Sequence, residues 1–158
     1  MKKGSWKIYI LFILLSVGVG LFAAFLTSGG TELYSGTLAK PPLSPPAVAF
    51  PIVWTILYTF MGVSAARVWL SPASAERSRG LNLYIAQLIV NFFWSLIFFN
   101  AQAFGFAFLW LLLLWVLILL MILSFYKTDK LAAILQIPYL LWVTFAGYLN
   151  YMIWLLNG

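Results

Sequence analysis

Long uncharged runs of apolar residues, separated by short polar segments, dominate the sequence. The first run covers residues 8–26, and the second covers residues 48–66. No charged residue occurs from Gly80 to Tyr126, and one helical crossing of the ~30 Å hydrocarbon layer needs about 20 residues, so this stretch is predicted to cross twice. The last run, residues 131–156, is long enough to cross once with a tilt. The pattern predicts five transmembrane helices.

These crossings predict an all-α integral membrane fold, a five-transmembrane-helix bundle that forms a single domain over residues 1–158. The helices are placed approximately at residues 6–26, 47–70, 79–100, 104–126 and 130–156. A cleaved signal peptide is the alternative for the first run, but the apolar part of such a peptide spans only ~7–15 residues, which favours a retained helix. Pro138 lies inside the last run and is expected to kink that helix near Trp142.

Residues 27–46 are the only sizeable loop that the pattern leaves between predicted helices. Four prolines crowd its second half, in the segment from Lys40 to Pro46. Because proline has no backbone N–H and fixes its own φ, this segment is predicted to be a stiff, extended connection between the first and second helices.

The composition agrees with a membrane protein, because 65% of the residues are hydrophobic and only 8% are charged. Soluble domains are about 45–50% apolar and about 25% charged. The net charge of +6 would also be compatible with a nucleic-acid-binding protein. Here, however, the cations flank the apolar runs, so we expect a lipid bilayer and no nucleic acid as the partner.

The distribution of the cations predicts the orientation of the bundle. With five crossings, only Lys40 falls on the side of the proline-rich loop. The other side carries Lys2, Lys3, Lys7, Arg67, Arg77, Arg79, Lys127 and Lys130. Lys and Arg are enriched in cytoplasmic loops, so we expect a multi-pass protein of a bacterial cell membrane with a cytoplasmic N-terminus and an external proline-rich loop.

The residue types that are missing exclude several kinds of chemistry. The sequence contains no Cys and no His, which removes thiol nucleophiles, disulfides, the usual general base and the common haem ligand. The acids Glu32, Glu76 and Asp129 all fall in predicted loops, whereas proton-coupled transporters keep such groups inside the membrane. We therefore expect no metal site, no tightly bound cofactor and no proton-driven pump.

Aromatic and amide side chains inside the predicted helices are the remaining candidates for function. They recur at helical spacing on the second, third and fifth helices. One interpretation is packing, with amides that bridge helices and aromatic rings that fill volume. The other is a pocket for a flat apolar molecule, which would use aromatic walls and a few orienting polar groups. The side chains that could form it are Trp54, Tyr58, Asn91, Trp94, Ser95 and Trp142.

Three stretches of the chain resemble one family of membrane proteins. The first, residues 34–62, contains Leu-Ala-Lys-Pro, Pro-Pro, Phe-Pro, Val-Trp and Leu-Tyr. The second is Asn-Phe-Phe-Trp-Ser from residue 91, and the third runs from Pro138 through Trp142 to Asn157. In this order the stretches are similar to the TspO/MBR family, the tryptophan-rich sensory or translocator proteins, also called peripheral-type benzodiazepine receptors.

The resemblance implies a five-helix bundle in which the first loop is a lid over a pocket among the helices. Members of this family bind porphyrins, and some bind sterols and benzodiazepine-type ligands. Tyr34 and Pro45 match lid positions that touch the ligand. The positions that match the pocket are Trp54, Tyr58, Asn91, Trp94, Ser95, Trp142 and Ala146.

The resemblance also implies three alternative functions. The first is a receptor or sensor of porphyrin-like ligands. The second is an enzyme for light-dependent oxidative degradation of protoporphyrin IX, with Trp54 and Trp142 as the catalytic residues. The third is a passive translocator of porphyrin or sterol. Leu155 stands where the sterol-associated motif needs a basic residue, which disfavours sterol, and the small pair Gly62 and Ala66 leaves a homodimer open.

Overall fold

The computed structural model describes residues 5–158, and within that range it is helical, with no β-strand. Five helical segments of the described range are long and apolar enough to cross a membrane, which confirms the predicted fold class. The two cations Lys2 and Lys3 lie outside the described residues. The helices are α1 Ser5–Leu26, α2 Ser28–Gly36, α3 Ala49–Leu70, α4 Ala75–Ser95, α5 Phe104–Thr128, α6 Lys130–Ile134 and α7 Ile137–Asn157, and α4 continues into a π-helix, Leu96–Asn100.

The segment expected to be a loop, residues 27–46, is helical in its first half. Here α2 covers Ser28–Gly36, and only the proline-rich remainder is irregular. Three glycines and several hydroxyl residues give α2 a weak intrinsic preference for helix. Packing of Tyr34 against Phe50 and Phe99 stabilises the helix instead. We call residues 27–46, including α2, the lid.

The last crossing is broken before Pro138 and not after it, so the expected kink near Trp142 is wrong. The break lies at Leu135 and Gln136, between α6 and α7, and Pro138 occupies the first turn of α7. A proline there cannot donate a hydrogen bond to the carbonyl four residues earlier, and its ring crowds that carbonyl. The side chain of Gln136 stabilises the break, because its amide nitrogen donates to the hydroxyl of Ser64 at 2.7 Å.

One end of the bundle carries most of the charge and is held by ion pairs. We call it the basic end, and it holds Lys7, Arg67, Arg77, Arg79, Lys127 and Lys130. Arg67 of α3 lies 2.8 Å from the carboxylate of Asp129, and Asp129 also accepts a hydrogen bond from the backbone of Ala132 at the start of α6. Burial alone would raise the pKa of Asp129, but these two partners hold it below its ordinary value.

The helices pack tightly at the basic end and spread apart at the opposite end, beneath the lid. The pairs α1 with α3, α4 with α5 and α5 with α7 pack along much of their length. In contrast, α3 meets the last crossing mainly through α6, at the basic end. The tightly packed core contains Met61, Val68, Ile118, Met121, Phe125 and Tyr139, each at most 1% exposed. The space between α3 and α7 beneath the lid is the region in which a ligand could be held.

Candidate ligand-binding site

A cavity of about 720 Å³ lies beneath the lid, lined by α1, α2, α3, α7, the end of α4 and its π-helix. Its volume is within the range of ~300–1,000 Å³ that small-molecule sites occupy. Most of its lining is aromatic or aliphatic, with hydroxyl groups concentrated on the lid side. The arrangement suits a ligand that is apolar over most of its surface.

Aromatic rings from α3 and α7 form two walls of the cavity. On α3, the rings of Trp54 and Tyr58 lie 5.5 Å apart between centroids, one helical turn from each other. On α7, Trp142 meets Phe50 of α3 edge to face at 6.0 Å. This ring contact closes the gap between the two helices at the level of the cavity. Aromatic side chains therefore line the cavity from both helices.

The π-helix at the end of α4 forms a third wall. Its wider turn is closed by a hydrogen bond of 3.0 Å from the backbone N–H of Ala101 to the carbonyl of Leu96, five residues earlier. Phe98 and Phe99, which are consecutive in sequence, both line the cavity, and their centroids are 4.9 Å apart. Trp94 stacks on Phe98 at 5.2 Å and continues the aromatic wall.

The lid rests on this wall with very little space between the backbones. Gly30 of α2 packs so closely on the backbone carbonyl of Phe99 that a Cβ atom at this position would collide with it. Tyr34, one turn later, lines the cavity and contacts Phe50, Phe98 and Phe99 through its ring. Burial raises the pKa of the Tyr34 phenol above its ordinary value, which favours the neutral hydroxyl.

The proline-rich half of the lid is fastened to the last helix. The amide nitrogen of Asn157 donates to the carbonyl of Ala39 at 2.9 Å, and the backbone N–H of Ala39 donates to the side-chain oxygen of Asn157 at 3.0 Å. We call this reciprocal pair the Ala39–Asn157 clamp. At the other end of the lid, Asn100 donates to the carbonyl of Leu26 at 2.9 Å. Both connections hold the lid over the cavity.

Buried amides fix the orientation of two rings in the walls. Asn91 is 1% exposed and donates to the hydroxyl of Tyr58 at 3.0 Å. The indole N–H of Trp94 donates to the side-chain oxygen of Asn150 at 3.2 Å, and Asn150 donates to the carbonyl of Phe104 at 2.8 Å. The remaining oxygen of Asn91 is buried and has no partner among the described residues.

The structure brings most of the residues proposed from the sequence to the same cavity. Those that line it are Tyr34, Trp54, Tyr58, Trp94, Ser95, Trp142 and Ala146. Asn91 lies behind Tyr58 and acts through it, and Pro45 is half-buried in the lid but does not line the cavity. That these residues bind a ligand stays a prediction, because the geometry shows only that they surround one space.

Sequence reasoning missed part of the lining. Phe50 lies one turn before Trp54 on the same face of α3, so the helical periodicity could have identified it. Glu32 was assigned to a loop, and only the formation of α2 brings it to the cavity. The small residues Gly20 and Ala23 of α1 carried no signal, since apolar residues surround them in the sequence.

Comparison with known proteins gives a consistent result across the chain. Residues 12–155 match the TspO/MBR family. The tryptophan-rich protein TspO of Chlorobaculum tepidum is 39% identical over 147 residues, which cover 90% of this chain and 91% of that protein. The translocator protein of Homo sapiens is 36% identical over 141 residues, or 88% of this chain and 83% of that protein. The tryptophan-rich sensory protein of Cereibacter sphaeroides is 32% identical over 147 residues, which cover 87% of this chain and 91% of that protein.

Proposed function

The chain belongs to the TspO/MBR family, and from this premise we propose that it is a membrane receptor or sensor that binds porphyrin-like and other flat apolar ligands in the cavity beneath the lid. The observation that carries the proposal is the set of aromatic walls around one covered cavity of about 720 Å³. Aromatic faces hold flat π-systems by offset stacking and by edge contacts. The match to proteins named for translocation and sensing supports a role in handling a small molecule.

Stacking is the proposed mode of recognition, with no axial metal ligand from the protein. The sequence has no His and no Cys, and these are the side chains that most often ligate haem iron. A metal-free porphyrin should therefore bind at least as well as haem. Absorption spectra of the haem complex provide the check, because strong axial ligation by the protein would shift the Soret band and contradict this mode.

The proposal is tested by titrating the purified protein with protoporphyrin IX and following the quenching of tryptophan fluorescence. Saturable binding is expected in the wild type. Phe50→Ala removes a ring from the cavity wall and should weaken binding roughly 2- to 10-fold, the range of one aromatic contact. Phe106→Ala is the matched control, because Phe106 is 56% exposed on the outer face of α5 and should leave binding unchanged. Equal loss in both variants, or no saturation in the wild type, would refute a specific site.

An enzyme that degrades bound protoporphyrin IX in light is the second candidate, and one observation favours it. Two indoles, Trp54 and Trp142, line the same cavity from different helices. Phenylalanine also offers a π-face but is much harder to oxidise than tryptophan. Trp54→Phe and Trp142→Phe should then keep most of the affinity for porphyrin and lose light-dependent product formation. If both variants degrade porphyrin as fast as the wild type does, the protein takes no part in the chemistry.

Passive translocation receives less support from the arrangement of the core. Below the cavity, Met61 and Tyr139 are at most 1% exposed, and Tyr139 donates to the buried amide of Gln87 at 2.7 Å. A ligand could pass from the cavity to the basic end only if this packed layer opened. Flux of porphyrin across proteoliposomes that contain the protein would show that it does.

A further inference from the structure

The lid side of the cavity carries a charge that the aromatic walls lack. Among the described residues that line the cavity, Glu32 of α2 is the one charged side chain. It is exposed, so it lies at the mouth and not in the depth of the site. Its polar neighbours on the same helix, Ser28, Thr31 and Ser35, carry neutral hydroxyls. Glu32 therefore places a negative charge at the mouth of the cavity.

No cation in residues 5–158 forms an ion pair with Glu32. The two ion pairs found in that range, Arg67 with Asp129 and Lys127 with Glu76, are both at the basic end. Lys40 is the cation of the lid, and it is held against Ser35 and Tyr34, which also line the cavity, without forming an ion pair with Glu32. Its ammonium group donates to the carbonyl of Ser35 at 3.0 Å and lies 5.2 Å from the centre of the Tyr34 ring.

We propose that Glu32 selects ligands by charge, so that the cavity prefers flat apolar molecules with a neutral or cationic polar edge over those with an anionic edge. This inference rests on the proposed function and assigns the chemical class of ligand to the same site. A carboxylate brought to the mouth would meet a like charge beside low-dielectric aromatic walls, where repulsion is screened less than in water. A cationic or hydrogen-bond-donating edge would meet an acceptor instead.

The first test compares protoporphyrin IX, which carries two carboxylates, with its dimethyl ester. Wild-type protein should bind the ester more tightly, and Glu32→Gln should reduce the ester-to-acid preference by roughly fivefold, the scale of one like-charge contact near water. Glu76→Gln makes the same change of net charge at the basic end and should leave the preference unchanged. A preference that Glu32→Gln does not alter, or that Glu76→Gln alters equally, would overturn the inference.

The second test separates this inference from the porphyrin proposal. Three pyrene probes, with an aminomethyl, a carboxylate or a neutral methyl group, share one flat skeleton and differ only in charge. We expect the cationic probe to bind most tightly, the neutral probe less tightly and the anionic probe least tightly. The differences in affinity between the three probes should be smaller in Glu32→Gln. If porphyrins fail to bind but this order holds, porphyrin is the wrong ligand and the selection by Glu32 stands. If porphyrins bind and the three probes bind equally, the porphyrin site stands and the selection fails.

Discussion

At the scale of single residues, the site depends on hydrogen bonds that lie one layer behind the surface a ligand would touch. Tyr58 lines the cavity, and the amide of Asn91 behind it fixes its position by donating to its hydroxyl. Both side chains are buried, so water cannot easily replace a lost partner. These two residues therefore couple the stability of the bundle to the shape of the cavity.

Tyr58→Phe tests this coupling. The substitution keeps the ring but leaves the amide nitrogen of Asn91 without its acceptor, in addition to the oxygen that already has no partner. The variant should lose about 1–3 kcal/mol of stability, seen as a lower thermal midpoint in detergent. Tyr126→Phe is the control, because Tyr126 is 53% exposed and should tolerate loss of its hydroxyl. An equal shift in both variants would contradict the role assigned to the Asn91 bond.

Single residues also show where sequence reasoning reaches its limit. Trp54, Tyr58 and Trp142 could be proposed for the site from helical spacing and family motifs, since both are properties of the sequence. Pro45 matched a lid position in the motif, but the path of the chain places it off the cavity lining. Glu32 could not be proposed, because its position depends on how α2 packs against residues far along the chain.

At the scale of elements, the long helices were predictable and the short ones were not. A transmembrane crossing follows from a local property, a run of about 20 apolar residues. In contrast, α2 is stabilised by contacts with the π-helix, and the break between α6 and α7 is fixed by Gln136 reaching α3. Such distant contacts cannot be read from the composition of the segment itself. The lid is therefore the element with the largest difference between prediction and structure.

A pair of adjacent glycines tests how closely the lid must approach the π-helix. In Gly30→Ala the added methyl group would collide with the carbonyl of Phe99, so α2 should move away from the π-helix. We expect this movement to lower the stability of the protein by about 1–3 kcal/mol and to speed ligand dissociation. Gly29→Ala adds the same methyl group where nothing lies within 4 Å, and it should leave the protein as stable or more stable. Thermal midpoints and dissociation rates measured on both variants provide the comparison. Similar behaviour of the two would refute the close contact.

The junction of α5, α6 and α3 should respond to acid. The folded pKa of Asp129 is below its unfolded value of 3.8, so its carboxylate stabilises the fold above that pH, and this contribution is lost as the pH falls through the folded pKa. Asp129→Asn should therefore have a lower thermal midpoint than the wild type near neutral pH. The two midpoints should converge as the pH is lowered below about 4. A constant difference down to about pH 2 would show that the charge of Asp129 is not its source.

At the scale of the whole molecule, the two ends of the bundle differ strongly in charge. Within residues 5–158, the lid end has the single cation Lys40. The basic end has six, namely Lys7, Arg67, Arg77, Arg79, Lys127 and Lys130. Because cations are retained on the cytoplasmic side of a bacterial cell membrane, we predict that the lid faces outward.

The absence of native cysteine makes this orientation straightforward to measure. Ser35→Cys places a thiol on the exposed lid, and Ala73→Cys places one in the exposed connection between α3 and α4 at the basic end. A membrane-impermeant maleimide should label intact cells only at position 35, and position 73 should react after the cells are permeabilised. The reverse pattern would overturn the predicted orientation.

The Ala39–Asn157 clamp sets an order of events while the protein is being made. Its two residues are 118 positions apart, so at about 5–20 residues per second the ribosome adds Asn157 roughly 6–24 s after Ala39. During that interval the proline-rich segment already exists, but its partner on the last helix does not. Every nascent chain therefore passes through a stage in which the proline-rich half of the lid is unfastened and the cavity wall formed by α7 is not yet complete.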